Sequence, residues 1–253
     1  MLQDRGYHVL IFMANTATDN LDEILDEILD YQVDGIVAAS VALSSQLLDR
    51  CQNAGVPVVL FNRSQDLQSL SSVTSDNLKG GRKVADFLLA TAPNRIGYIA
   101  GWEGASTQRD REFGFRQRLA EAGRDIDVRT IGNFHMDSAR QATLEMFDRE
   151  APPDAIFVAN DHMAFAVMDT LRFELGLSVP QDVSVVGYDD VPMAAWPAYS
   201  LTTVRQPAGR MVAQTVSLLL SQINTQSAAP QQIRIDGPLV VRGSAKIPKG
   251  WTS

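Results

Sequence analysis

The sequence contains 253 residues, of which 45% are hydrophobic, and this length and composition allow one or two domains with a packed apolar core. Its 30 acidic and 22 basic residues give a formal net charge of −8, the wrong sign for a surface that neutralises the phosphates of DNA. The single cysteine, Cys51, excludes an internal disulfide and a multi-cysteine metal site, and it fits the reducing cytoplasm. The sequence shows no secretion leader and no run of about 18 apolar residues, so we expect a soluble cytoplasmic protein without a membrane segment.

Short, almost wholly apolar runs recur along the chain and alternate with segments of helical length. Continuous hydrophobicity is typical of parallel strands that helices cover on both faces. The predicted strands are HVLIFMA (8–14), GIVAAS (35–40), PVVLFN (57–62), RIGYIAG (95–101), AIFVAN (155–160) and VSVVGYD (183–189). The predicted helices are 21–31, 77–90, 111–122, 138–147, 163–175 and 211–223. This alternation predicts an α/β fold. No linker divides the chain in two, which favours two lobes joined by several crossings, with a cleft between them.

Polar side chains cluster where the predicted strands end. In open parallel sheets, ligands bind outside the carboxyl ends of the strands, so these side chains are candidates to line one crevice. Their guanidinium, carboxylate and amide groups would suit a ligand with many hydroxyl groups. The alternative is that Asn and Asp cap the helices that follow. The positions are Asn62, Arg63, Asn160, Asp161, Asp189, Asp190 and Gln206.

Signatures of catalysis, metal binding and phosphate binding are weak. The three histidines, His8, His135 and His162, do not have the spacing of metal ligands, and no nucleophile elbow is present. The Gly80-Gly81 pair completes no phosphate-binding motif, and close packing of helices explains it equally well. We therefore expect no cofactor, no metal and no catalytic residue. An acid and base pair at Asp189 and Asp161 remains the alternative that an enzyme would require.

Five aromatic residues could stack against a ligand or fill the core. We expect Phe113 and Phe115 to lie in the core, since they fall within a predicted helix. Trp102, Phe134 and Trp196 occupy loop-like settings and are candidates for the walls of a cleft.

Several stretches resemble, in the same order, the effector-binding part of the lactose and galactose repressor (LacI/GalR) family of bacterial transcription regulators. The central one is PDAIFVANDHMAFAVMDTLRFELGLSVPQDVSVVGYDDVPMAAWPAYSLTTVRQPAGRM, at 153–211. The others are GVPVVLFNR, SVTSDNLKGGRKVADFLL, RIGYIAG, RDREFGF and LVVRGSAKIP.

The resemblance implies two doubly wound, parallel-sheet lobes around a ligand cleft, as in type I periplasmic sugar-binding proteins. It implies an N-terminal lobe of residues 1–74 and 207–231 and a C-terminal lobe of 76–205 and 233–253, with hinge crossings near Ser75, Gln206 and Gln232. It also implies a homodimer and a small-molecule effector, for which a sugar is the first expectation and a purine the alternative.

The resemblance also implies site residues at matching positions. Asn62-Arg63 stands where sugar-binding relatives have an Asp-Arg pair, and Arg111 in REFGF matches the effector-binding arginine. Asn160 matches the asparagine of the AND motif, Asp189 the first aspartate of GYDD, and Gln206 the glutamine of TTVRQP. Ser75 joins Trp102, Phe134 and Trp196 as a candidate for the cleft wall.

Two expected features of the family are not seen in this sequence. Family members begin with a helix-turn-helix domain and a hinge helix, so we expect contact with DNA only through an N-terminal domain that is missing here. The first strand and helix of the N-terminal lobe are also expected to be absent. A solute-binding protein of the same fold and a truncated, non-functional remnant remain alternatives.

Overall fold

The computed structural model describes residues 1–13, 21–40, 45–65, 70–225 and 229–251. The chain divides into two compact units. One consists of Met1–Ser75 with Pro207–Ile235, and the other of Asp76–Gln206 with Asp236–Ser253. Each unit is built from two separate stretches of chain, so the chain crosses between them three times.

Helices and parallel strands alternate along the chain, as the sequence predicts for an α/β fold. The helices are α1 Leu21–Asp30, α2 Ser45–Asn53, α3 Asn77–Ala90, α4 Ser106–Glu121, α5 Met136–Phe147, α6 Asp161–Asp169 and α7 Ala208–Asn224. The strands are β1 Ile36–Ala39, β2 Val58–Phe61, β3 Ser71–Ser75, β4 Ile96–Ala100, β5 Val128–Ile131, β6 Ala155–Val158, β7 Ser184–Asp189, β8 Thr202–Arg205, β9 Gln232–Ile235 and β10 Leu239–Val240.

The first unit is a parallel sheet in the order β1-β2-β3-β9, covered by helices on both faces. Successive residues of β2 point to opposite faces of the sheet. Val59 packs with Leu218 and Leu219 of α7, whereas Leu60 packs with Leu48 of α2. Burial on both faces is why the strands of this unit read as continuous apolar runs.

Strand β9 places the third crossing after Ile235, whereas the resemblance implies a crossing near Gln232. It pairs with β3 from Ser72↔Gln232 to Ser75↔Ile235. Residues 232–235 therefore lie in the first unit, and the crossing follows Ile235 instead of Gln232.

The prediction of a strand at HVLIFMA is wrong for residues 8–13, while Ala14 lies outside the described residues. Residues 8–13 have no regular secondary structure, and Ile11 and Met13 are 80% and 85% exposed. A strand requires a neighbour to complete its ladder of hydrogen bonds, and no described strand pairs with this segment. The apolar run is therefore left in contact with solvent.

The second unit contains a six-stranded sheet in the order β10-β8-β7-β6-β4-β5, in which only β10 is antiparallel. On one face, Tyr98 of β4 contacts Phe115 of α4, with ring centroids 6.0 Å apart. On the other face, Gly97 lies against Met146 of α5. The sheet is thus doubly wound, which confirms the predicted fold class.

Phe115 is fully buried, as predicted, but the expectation that Phe113 lies in the core is wrong because its side chain is 60% exposed. Residues two apart on a helix are separated by about 200° around the axis. The buried face of α4 that includes Phe115 therefore turns Phe113 toward solvent.

Glycines allow α3 and α4 to pack with their backbones in contact. A Cβ atom on Gly81 would overlap the carbonyl oxygen of Arg111, and one on Gly114 would overlap the carbonyl oxygen of Leu78. Gly81 therefore serves close packing of helices, which was the alternative to a phosphate loop, and Gly80 leaves room for the ring of Tyr188 on β7. None of the described helices is long and apolar enough to cross a membrane.

Candidate functional site

The carboxyl ends of the parallel strands β6, β7 and β8 meet at one edge of the second sheet. Asn160 follows β6, Asp189 ends β7 and Gln206 follows β8. Arg111 reaches the same edge from α4. The structure therefore brings together four of the six residues predicted to bind a ligand.

Arg111 is held in one orientation although it is charged and only 3% exposed. Its Nε donates to Asn77 Oδ1 at 2.9 Å, its Nη1 to the carbonyl oxygen of Ala159 at 2.6 Å, and its Nη2 to Asp189 Oδ1 at 3.2 Å. The guanidinium carbon lies 3.7 Å from the centroid of the Tyr188 ring, a cation–π contact. These contacts compensate for the loss of hydration and fix the guanidinium plane.

Asp189 accepts two hydrogen bonds on one oxygen. Oδ1 accepts from Arg111 and from Gln206 Nε2, the latter at 2.5 Å. Among the described residues, Oδ2 accepts no hydrogen bond, and the side chain is 20% exposed. Burial raises the pKa of Asp189, and the charge of Arg111 and the hydrogen bond from Gln206 oppose that rise. One carboxylate oxygen thus remains available to a ligand.

Asp190 holds the turn that carries Asp189. Its two oxygens accept from Arg205 Nε and from Arg242 Nη2, and its side chain is 5% exposed. Asp189 and Asp190 both have positive φ, +125° and +58°. Residues other than glycine rarely adopt this region. The ion pairs of Asp190 stabilise this strained backbone.

Asn160 caps α6, which was the alternative to ligand binding for the Asn and Asp residues at strand ends. Its Oδ1 accepts from the backbone N–H of Met163 at 3.0 Å. No described residue accepts a hydrogen bond from its amide nitrogen, so capping leaves a donor for a ligand.

Two further residues anchor the site: Asn77, which was not among the candidates from the sequence, and Asp161, which was expected to line the crevice or act as an acid or base. Asn77, the first residue of α3, is 3% exposed and anchors the guanidinium of Arg111. Asp161 is fully buried, and it accepts from Thr203 Oγ1 at 2.6 Å and from the backbone N–H of Val191 at 3.0 Å. Burial, together with the charges of the neighbouring aspartates, raises the pKa of Asp161 to about 7.

The remaining predicted site residues are placed as follows. Asn62, Arg63 and Ser75 belong to the first unit, at or just beyond the carboxyl ends of β2 and β3. Asn62 has φ +57°, and its buried Oδ1 has no partner among the described residues. Burial lowers the pKa of Arg63. Their role in binding stays a prediction.

Two of the candidate aromatic wall residues, Trp102 and Phe134, follow β4 and β5 at their carboxyl ends, whereas Trp196 ends a short helix and lies beside the start of β8. Trp102 and Trp196 are 48% and 54% exposed. Phe134 is partly buried and packs over Gly101, where a Cβ atom would overlap its ring.

Taken together, the edge presents a carboxylate oxygen of Asp189 and an amide donor of Asn160 beside a fixed guanidinium, and exposed Trp102 follows β4 at the carboxyl end of the same sheet. Carboxylates and amides bind hydroxyl groups, and aromatic faces bind the apolar faces of sugar rings or planar bases. No described group of His, Cys, Asp and Glu side chains could hold a metal ion.

Residues 85–245 match a family model described as a periplasmic binding protein-like domain. The transcriptional regulator CelR of Thermobifida fusca is 31% identical over 247 residues, which cover 96% of this chain and 72% of CelR. The transcriptional repressor PurR of Photobacterium profundum is 27% identical over 215 residues, which cover 84% of this chain and 64% of PurR.

Solved structures show the same fold. A complex of CelR with cellobiose has a TM-score of 0.82 and 32% identity, covering 88% of this chain and 69% of that one. A LacI family regulator from Enterococcus faecalis with bound ribose has a TM-score of 0.87 and 24% identity, covering 98% of this chain and 90% of that one.

Proposed function

Because the chain belongs to the LacI/GalR family of transcription regulators, we propose that it binds a sugar effector at the edge formed by Arg111, Asn160, Asp189 and Gln206. The observation that carries this proposal is the fixed arrangement of Arg111, Asp189 and Gln206. Two donors occupy Oδ1 of Asp189, and Oδ2 remains for a ligand hydroxyl.

A sugar is favoured over a purine because the edge offers the carboxylate acceptor of Asp189, which the buried guanidinium of Arg111 orients, beside the amide groups of Asn160 and Gln206. Adjacent hydroxyl groups both donate and accept, so they match this mixture. The complex of CelR with cellobiose and that of the Enterococcus faecalis regulator with ribose support the choice. A purine remains the alternative, since exposed Trp102 would stack equally well on a planar base.

The proposal includes a cytoplasmic homodimer that releases its ligand unchanged. Asp190 is engaged by Arg205 and Arg242, and both oxygens of fully buried Asp161 accept hydrogen bonds, so neither residue offers Asp189 a second free carboxylate for acid and base chemistry. Because a net charge of −8 disfavours binding to phosphates, we propose that a domain outside these 253 residues makes the contact with DNA. Sedimentation equilibrium tests the dimer, and chromatography of recovered sugar tests the absence of turnover.

A thermal melt against a panel of ligands tests the proposed effector class. The panel contains cellobiose, ribose, a sugar phosphate, guanine and hypoxanthine. A ligand present at about one hundred times its dissociation constant stabilises the folded state by roughly 2.7 kcal/mol. We expect a raised melting midpoint with a sugar and none with the bases. A shift with the bases alone would replace the sugar by a purine.

A further inference from the structure

Asp161 connects three elements at the candidate binding edge. It is the first residue of α6, its Oδ1 accepts from Thr203 of β8, and its Oδ2 accepts from the backbone N–H of Val191. Val191 follows the strained Asp189-Asp190 pair directly. A Cβ atom on Gly187 would overlap Oδ1, so the carboxyl group also lies against β7. This buried side chain thus holds the backbone just beyond the turn that presents Asp189 and packs against the strand that leads into it.

The charges around Asp161 make its own charge unfavourable. Asp189 and Asp190 face it from β7 and the turn beyond, and each of them is paired with arginine. Those arginines are Arg111 on Asp189, and Arg205 and Arg242 on Asp190. Asp161 has no ion pair among the described residues and is fully buried. Burial and the neighbouring aspartates raise the pKa of Asp161 to about 7. The two hydrogen bonds that Asp161 accepts act in the opposite direction.

We propose that Asp161 is a proton-dependent positioning residue, whose ionised form holds the Asp189 turn in the conformation that binds the ligand. A carboxylate accepts stronger hydrogen bonds than a neutral acid does. On protonation, the new O–H of Asp161 can donate to Thr203, because a hydroxyl both donates and accepts. The N–H of Val191 can only donate, so its bond to Asp161 weakens. The effect of Asp161 on ligand binding rests on the proposed function, whereas its effect on the Asp189 turn does not.

The first test follows the backbone amide of Val191 by NMR from pH 5.5 to 8.5. We expect its proton shift to titrate with a midpoint near 7. Thr203→Val removes a bond that stabilises the ionised acid, so it should move the midpoint to higher pH. Thr203→Val keeps a β-branched residue in β8, so we expect this variant to fold. The titration can therefore be tested without replacing Asp161 itself.

His162→Gln is the matched control, because histidine ordinarily changes charge in the same range and His162 is the exposed neighbour of Asp161. The midpoint should be unchanged in this variant. A Val191 shift that is constant with pH, that follows His162, or that ignores Thr203→Val would overturn the inference.

The second test measures the affinity for cellobiose and ribose by calorimetry at pH 6 and pH 8. We expect the wild-type affinity to rise roughly threefold to tenfold with pH, and the affinity of Asp161→Asn to stay constant. Asp154→Asn is the control, since Asp154 also accepts backbone N–H groups and its pKa is lowered. Binding with equal affinity at both pH values would contradict the coupling to the ligand. If neither sugar binds at either pH, the proposed function fails and the Val191 titration alone decides the role of Asp161.

Discussion

Arg111 on α4 and Asp189 at the end of β7 form an ion pair, with Nη2 of the arginine 3.2 Å from Oδ1 of the aspartate. The arginine side chain is 3% exposed and the aspartate side chain 20%. The pair is therefore shielded on the arginine side and open on the aspartate side. A ligand at this edge would meet a carboxylate whose orientation the protein has already fixed.

Replacement of Arg111 should affect both stability and binding. Arg111→Ala leaves Asn77 Oδ1, the carbonyl oxygen of Ala159 and Asp189 without their donor. We expect the free energy of unfolding to fall by about 3–5 kcal/mol, as when one partner of a buried ion pair is removed. Urea denaturation measures this change.

Arg111→Lys separates the two effects, because it keeps the charge but cannot form the three directed hydrogen bonds. We expect it to fold and to lose sugar binding. Arg116→Lys, on a partly exposed arginine of the same helix, is the control. Wild-type stability in Arg111→Ala would contradict the anchoring role of this side chain.

Gly114→Ala should destabilise the second unit strongly. The new methyl group would overlap the carbonyl oxygen of Leu78, and a helix backbone cannot move aside as the end of a flexible side chain can. We expect a loss of about 1–3 kcal/mol, which is the usual cost of overpacking.

Gly209→Ala, in α7, is the matched control for Gly114→Ala. Nothing lies within 4 Å of the added methyl group, so the change should be neutral or stabilise by about 1 kcal/mol. Thermal denaturation compares the two variants. Equal midpoints for both would contradict the close packing of α3 and α4.

Burial of Asp161 makes stability depend on pH in a defined direction. The unfolded chain loses this proton near pH 4, whereas the folded chain keeps it until about pH 7. Between these values the folded state binds more protons, so the free energy of unfolding contributed by Asp161 decreases as pH rises and levels off above 7.

Asp161→Asn removes this contribution. Relative to that variant, the wild type should lose roughly 2–3 kcal/mol between pH 5 and pH 8. Urea denaturation at pH 5, 6, 7 and 8 measures the difference. Parallel profiles for the two proteins would show that Asp161 titrates normally.

Cys51 should be unreactive in the folded protein. It is 2% exposed, and burial raises the pKa of its thiol, with the charge of Arg50 opposing the rise. The thiolate is the reactive form, so a thiol reagent at pH 8 should modify Cys51 slowly in buffer and rapidly in urea. Equal rates in the two solvents would contradict the packing between α2 and the first sheet.

The sequence predicts the fold class and much of the second unit because hydrophobic patterns report local structure directly. Asn160, Asp189 and Gln206 could be grouped because parallel strands end at one edge. Asn77 and Asp161 could not be recognised as anchors, since a sequence does not show which polar side chains fold inward. The strand predicted at 8–13 failed because an apolar run forms a strand only where a partner exists. Phe113 was misplaced because helical segments bury one face and expose the other.

The binding of a sugar by Asp189 is tested by calorimetric titration of cellobiose and ribose into the wild type, Asp189→Asn and Asp182→Asn. Asp182 accepts from the backbone N–H of Ser178 and serves as a control carboxylate away from the edge. At least one sugar should bind the wild type and Asp182→Asn equally. Asp189→Asn should lose about tenfold or more in affinity, the effect of one hydrogen bond to a charged group. Unchanged affinity in Asp189→Asn, or no binding of either sugar to the wild type, would contradict a sugar site at this edge.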